Sequence, residues 1–256
     1  MVYFDVHPNS VERLPFTLTE SSVLAVIPAR FDATRLPGKI LADIAGKPMI
    51  EHVYRRAAAA SNVHAVIVAT DDERIASAVR AFGGAALMTR ADHVSGTDRI
   101  AEVVSQLPCR VVVNVQGDEP LIEPATIDAA VAPMLADATL EMSTVSRPWA
   151  SADEFRSPHV VKVVTDLAGN ALYFSRAPLA GARAHVGLYV YRRDTLLKLA
   201  ALPAAPLERE ESLEQLRALS NGIRIRVVDT RHIAAGVDTP EDLDRVRSMM
   251  LTHSRT

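Results

Sequence analysis

The chain has 256 residues, enough for one large domain or two small ones and for a core that needs no disulfides. Lys plus Arg total 28 and Asp plus Glu 31, a net charge of −3, and aromatic residues make up 5%. That balance argues against a chain that grips nucleic acid through bulk positive charge or a stacking surface, while leaving room for one small anionic ligand. A single cysteine, Cys109, excludes a disulfide scaffold and a cysteine-rich zinc site. No apolar run approaches the roughly 18 residues of a membrane span, so no membrane insertion is expected. Residues 1–22 carry Asp5, His7, Glu12 and Arg13, lack an apolar secretory segment and read as a loosely held extension of a cytoplasmic protein.

Regular patterning begins at Val23–Ile27 (VLAVI), a strand-length apolar run, followed by a loop over 28–39. Pro48 opens a helix over MIEHVYRRAAAA. His64–Thr70 is a second strand, and Asp71 and Asp72 place carboxylates at the positive end of the helix that Gly83 and Gly84 close. A short strand at AALMT, a helix over Thr97–Leu107, a strand over Arg110–Gln116 and a helix over ATIDAAVAPMLADA complete the first half. The strands are continuously apolar rather than alternating, which means burial on both faces of a parallel sheet covered by helices. This predicts an α/β, doubly wound, mostly parallel sheet whose ligand sits beyond the carboxyl ends of the strands.

The second half reads as an antiparallel addition over residues 140–191. It has strands at Met142–Ser146, Val160–Thr165, Ala171–Ser175 and Val186–Tyr191, and a turn at Asp166–Asn170. A helix over Glu210–Leu219, a strand over Ile223–Asp229 and a helix over Pro240–Met250 capped by Thr239 follow. Residues 23–256 are expected to form one domain.

Chemistry is sought in the loops after the strands. PARFDATRLPGK concentrates Arg30, Arg35 and Lys39, with Gly38 permitting close backbone approach, as a triphosphate requires; a solvated basic loop reads the same way. Asp118, in QGDEP just past an apolar strand, is placed to hold Mg²⁺, though Gly-Asp before Glu-Pro is also good turn chemistry. Asp238 is a second such carboxylate beside the Thr239 helix start. HVSGTDRI, residues 93–100, starts a helix with exposed donors suited to a base edge or a phosphate, or serves as an ordinary cap. Ser175, Arg176, His185 and Tyr189 form one polar set. Glu211, Glu214 and Gln215 share one face if the helix is continuous, either to read hydroxyls and a carboxylate or as a solvated acidic face. No nucleophile motif appears, so a covalent intermediate is not expected.

The motifs IPARFDATRLPGK, IAGKPMIEHVYRRA, IVATDDERI, MTRADHVSGTDRIAEV, VNVQGDEPLI, ALYFSR, HVGLYVYRR, SLEQLRAL and GVDTPEDLDRVR span residues 27–247. In that order they resemble the 3-deoxy-manno-octulosonate cytidylyltransferase (CMP-Kdo synthetase) family. The resemblance implies a homodimeric nucleotidyltransferase that joins CMP from CTP to the sugar acid Kdo for lipopolysaccharide precursor synthesis. It implies that Arg30, Arg35 and Lys39 hold the triphosphate and that Asp118 and Asp238 ligate Mg²⁺. It places Ala29, Arg90, Ser95, Gly96 and Thr97 at the nucleoside, and Gln116, Arg176, His185, Tyr189, Glu214 and Gln215 at the sugar acid. The antiparallel addition would supply the dimer contact. One departure stands out: only Ala177–Ala184 joins Arg176 to His185, shorter than the family pattern. That shortening opens a different small-acid acceptor, such as a modified Kdo, another keto-sugar acid or a phosphonate.

Overall fold

The structure is a computed structural model and describes residues 14–32, 35–231 and 236–253. In chain order its elements are β1 Val23–Ala29, a 3₁₀ turn at Lys39–Leu41, the small hairpin β2 Asp43–Ile44 and β3 Lys47–Pro48, α1 Met49–Ala58, β4 Ala65–Thr70, α2 Glu73–Ala81, β5 Ala85–Met88, α3 Gly96–Ser105, β6 Val111–Asn114 and α4 Pro124–Ala136. There follow β7 Met142–Arg147, α5 Ala152–Arg156, β8 Lys162–Thr165, β9 Ala171–Ser175, β10 Arg183–Arg192, α6 Arg193–Ala201, α7 Pro206–Glu211, α8 Gln215–Ser220, β11 Ile225–Asp229 and α9 Pro240–His253.

The main sheet runs β11-β7-β10-β6-β1-β4-β5, with β8 and β9 branching from β10. β1 pairs in parallel with β4 and β6, β4 with β5, and β11 with β7, whereas β10 is antiparallel to both β6 and β7. Period-two alternation splits β1 between two apolar layers. Val23, Ala25 and Ile27 pack with α1 and α4 residues, and Leu24 and Val26 with α3 and α6 residues. Each fully buried aliphatic side chain of β1 contributes about 1.5–3 kcal/mol of transfer free energy, before entropy. Arg192 ends β10 and Arg193 opens α6, and their side chains reach opposite faces of the sheet. Arg192 donates to the carbonyls of Leu140 and Asp137 after α4, and Arg193 to those of Val104, Ser105 and Leu107 at the end of α3.

Three expectations change. The region 140–191 is not uniformly antiparallel: β7 runs with the parallel set, because α4 carries the chain across as a crossover. Only β10 is reversed within the main path, with β8–β9 a hairpin beside it. The helix over Glu210–Leu219 is two short helices, since Ser212 adopts φ 53° and ψ 48°, a left-handed conformation that ends α7. Glu211 and Glu214 therefore do not share a face. Of the extension over residues 1–22, residues 1–13 lie outside the described residues, and Leu14, Phe16 and Leu18 pack against the core rather than hanging loosely.

Reversal of β10 has a positional consequence. Tyr189 lies opposite Asn114 and Arg192 opposite Val111, so the early half of β10 reaches the edge where the parallel strands end. A bulge between Val186 and Tyr189 shifts its register against β7 at that edge.

Candidate active site

A cavity of about 340 Å³ opens beyond the carboxyl ends of β1 and β6. The β1 loop supplies Ala29, Arg30, Arg35 and Lys39, the β6 loop Gln116 and Asp118, and the entry to α9 Asp238. Ser95 and Gly96, at the N-terminus of α3, form the facing wall, where Ser95 caps the helix by accepting from the Asp98 amide. Two glycines let these loops converge. Gly38 has φ 70°, and a Cβ on it would meet the Phe31 ring at 3.0 Å. A Cβ on Gly117 would stand 3.2 Å from the Pro28 carbonyl and 3.1 Å from Ile40.

Lys39 is the hub. Its Nζ donates to Asp118 Oδ2 at 2.6 Å, Asp238 Oδ1 at 2.9 Å and the Val237 carbonyl at 2.8 Å. Burial pulls the Lys39 pKa down, but the charges and hydrogen bonds of Asp118 and Asp238 outweigh it and leave it above the ordinary lysine value. Arg35 pairs with the other Asp238 oxygen at 2.9 Å. The Val237 amide donates to the Asp118 carbonyl at 2.9 Å, fixing the two carboxylate loops to each other. Glu119, next to Asp118, is pushed up to about 7 by burial and by the Asp118 charge, against the pull of Arg147.

A second, smaller cavity adjoins the first through Gly96 and Gln116, which line both. Thr97, Tyr189, Glu214 and Gln215 complete it, together with Asn114, Tyr191 and Leu199. Thr97 donates to Glu214 Oε2 at 2.8 Å, while Glu214 Oε1 and Gln215 Nε2 are buried without a hydrogen-bond partner in the protein. Burial holds the Glu214 pKa above the ordinary carboxylate value despite the Thr97 hydrogen bond and the Arg217 charge. Tyr189 and Tyr191 are likewise raised by burial first, Tyr189 then by the neighbouring Glu214 charge and Tyr191 then by Tyr189 and Glu214.

Three residues anticipated for the site line neither cavity. Arg176 gives its guanidinium to the carbonyls of Glu211, Pro158 and Ser212, and its amide to Glu211 Oε2. His185 is buried, with Nε2 2.8 Å from Thr144 Oγ1 and its ring edge-on to Phe174. Arg90 pairs with Asp92 outside the cavity, although its amide donates to Glu102 of α3. Asn114 and Tyr191 were missed. Asn114 carried a signal, as the one polar residue at the end of VVVN, and Tyr191 sits two residues from Tyr189 on the same strand face.

A mixed α/β sheet with a cationic loop and two carboxylates meeting at its strand ends defines a nucleotidyltransferase. Comparisons with known proteins narrow the class. Residues 24–225 match the Cytidylyltransferase family. The 3-deoxy-manno-octulosonate cytidylyltransferase of Geobacter metallireducens is 56% identical over 243 residues, 88% of this chain and 96% of that protein. Its counterpart in Solibacter usitatus is 55% identical over 233 residues, 88% and 92% of the two chains. The solved structure of CMP:2-keto-3-deoxy-manno-octonic acid synthetase complexed with CTP is 46% identical and superposes with a TM-score of 0.88, covering 91% of this chain and 100% of that one. The chain belongs to the cytidylyltransferase family, among the 3-deoxy-manno-octulosonate cytidylyltransferases.

Proposed function

We propose that the protein transfers CMP from CTP to the anomeric hydroxyl of Kdo, releasing pyrophosphate and supplying an activated sugar for lipopolysaccharide synthesis. The observation that carries this reading is the meeting of Lys39, Asp118 and Asp238 at one point between the Arg30–Arg35 wall and the N-terminus of α3. The adjoining cavity supports a polyhydroxylated acceptor: Glu214 Oε1 can accept from a hydroxyl and Gln215 Nε2 can donate to an oxygen.

The residues at the first cavity suit Mg²⁺. Three oxygens, from Asp118, Asp238 and the Val237 carbonyl, already converge on one positive centre, the Lys39 ammonium. Two carboxylates are the share that Mg²⁺ takes from protein when phosphate oxygens and water supply the rest. Asp118 and Asp238 would hold the ion, which when bound supplies charge neutralisation for the triphosphate and a more acidic attacking hydroxyl.

In the transfer, the Kdo hydroxyl oxygen forms a bond to the α-phosphorus and gives its proton to solvent as the α–β bridging bond breaks and pyrophosphate leaves. Arg30, Arg35 and Lys39 offset charge on the triphosphate and the leaving group. Gln116 and Gly96, common to both cavities, stand where the two substrates meet and keep them in register. Such a displacement rests on positioning and charge, and no side chain of the site is needed as a covalent nucleophile.

We further propose a homodimer that works in the cytoplasm. The exposed Leu167 and Leu172 of the β8–β9 hairpin support the dimer contact expected within residues 140–191. Among the described residues no helix is long and apolar enough to cross a membrane.

The test is pyrophosphate release from CTP and Mg²⁺ across a panel of acids that includes Kdo, modified Kdo, other keto-sugar acids and phosphonates. Kdo is expected to support turnover best. Release with another acid alone would reassign the acceptor, as the short Ala177–Ala184 connection would then require. Silence across the panel would remove the transfer reaction.

A further inference from the structure

Between β5 and α3 the chain passes through Thr89–Ser95, whose last residues, His93, Val94 and Ser95, line the larger cavity. Val94 is 90% exposed, so apolar packing does not shape this loop. Two charged side chains of α3 do. Arg99 and Glu102 stand one turn apart on the same helix face, and both are almost fully buried.

Arg99 reaches the start of the loop. It donates to Thr89 Oγ1, to the Arg90 carbonyl at 3.3 Å and to Asp71 Oδ2 at 3.0 Å. The Thr89 amide donates to the Thr70 carbonyl at 2.8 Å, so this end of the loop is also moored to β4. Glu102 holds the middle. Its Oε2 accepts from the Arg90 amide at 3.2 Å and bonds His93 Nε2. His93 therefore has its ring on Glu102 while its residue forms part of the cavity wall.

Buried charges are costly unless their hydrogen bonds are met, and here, besides the Arg99–Asp71 pair, those bonds are spent on loop backbone, on Thr89 and on one loop histidine. We propose that Arg99 and Glu102 are positioning residues, with His93 as their link to the cavity, and that this clamp sets the selectivity for the nucleobase. The inference rests on the nucleotide reading above, in which the Ser95 end of the cavity receives the base, opposite the cations that hold the phosphates. Cytosine and uracil differ by an exchange of donor and acceptor at adjacent ring positions. A loop whose acidic side chain, Asp92, is exposed and paired with Arg90 must make that distinction largely through main-chain groups. Main-chain donors and acceptors discriminate only as well as the loop is held.

The experiment compares the parent protein with Glu102→Ala, Glu102→Gln and His93→Ala. It measures KM and kcat with CTP and UTP, calorimetric affinity for each nucleotide, and thermal midpoint. Glu102→Ala and His93→Ala are expected to raise KM for CTP about tenfold, to leave kcat within about threefold, and to lower the preference for CTP over UTP about tenfold. Glu102→Gln, which keeps an acceptor for the Arg90 amide, is expected to recover much of the selectivity. A lower thermal midpoint with the CTP preference unchanged would make the clamp merely structural and overturn the proposal. The calorimetric arm separates this from the function: a parent that releases no pyrophosphate refutes the transfer reaction, while the nucleotide preference of parent and variants still decides the clamp. If Glu102→Ala does not fold, His93→Ala and Glu102→Gln carry the comparison.

Discussion

His185 offers a sharp test, because the same residue would behave differently as a buried strut and as a ligand at the acceptor. Thr144 Oγ1 donates its one proton to the Leu188 carbonyl at 2.7 Å, so at 2.8 Å it accepts from His185 Nε2. The imidazole is then neutral with its proton on Nε2, enclosed by Phe174 and Tyr189. Burial lowers its pKa from 6.5 to about 3. Below the ordinary value the unfolded chain takes up a proton that the native state refuses, so stability is lost as pH falls from that value toward about 3. Between pH of about 7.5 and about 5.5 this group alone removes about 1.4 kcal/mol, the work of protonating one imidazole in the unfolded state only. Urea unfolding of the parent and of His185→Gln at both pH values isolates it, because the other titrating groups are shared. Glutamine can still donate to Thr144 without titrating. The parent is expected to lose about 1.4 kcal/mol more than the variant. Equal losses would mean that His185 titrates alike in both states, and the buried, neutral assignment would fall.

Four further outcomes follow from the contacts. Lys39→Ala is expected to cost about 10²–10³ in turnover, measured as pyrophosphate release, by removing a preorganised cation from the triphosphate. Asp238→Ala is expected to abolish turnover while the fold survives, since its side chain is 45% exposed; circular dichroism checks the fold and near-parental activity would remove it from the site. Arg176→Ala is expected to lower stability by about 1–3 kcal/mol in chemical denaturation, because three carbonyls lose their donor. Its KM for Kdo should stay near the parental value, and a raised KM at unchanged stability would return Arg176 to the acceptor site. Lys162→Met is expected to cost about 2–4 kcal/mol by the same assay. The fully buried Lys162 ammonium serves the carbonyls of Ser157, Val160 and Arg176, and methionine fills its space without serving them.

The sheet was legible because its evidence is local. Runs such as VLAVI and the AVIVA within HAVIVAT are apolar at every position, and only burial on both faces explains that. Direction was less legible. The β7 sequence, MSTVSR, reads the same whether the strand runs with or against its neighbours, and its orientation is set by the crossover through α4. The break at Ser212 was hidden for another reason. The residues around it favour helix, and a left-handed serine is imposed by what packs on either side. Glu211 turns back to Ser175 and the Arg176 amide, while Leu213 enters the core.

The site divides along the same line. Lys39, Asp118 and Asp238 could be singled out in the sequence as charged residues in the loops after buried strands or at a helix entry, and the structure brings the three side chains within hydrogen-bond distance. Arg176 and His185 belong to motifs just as specific, yet the structure spends their polar atoms on backbone carbonyls and on Thr144. A motif fixes which residue is present, and tertiary contacts fix which of its atoms remain available. Under the proposed function, selectivity for the acceptor would rest on atoms that folding leaves without a hydrogen bond, Glu214 Oε1 and Gln215 Nε2, more than on charge count. Such a division would let a chain of net charge −3 serve two anionic substrates. In the proposed transfer Arg30, Arg35 and Lys39 of one loop would meet the triphosphate, while Gln215 and the Glu214 carboxyl, whose pKa burial raises above the ordinary value, would face the sugar acid.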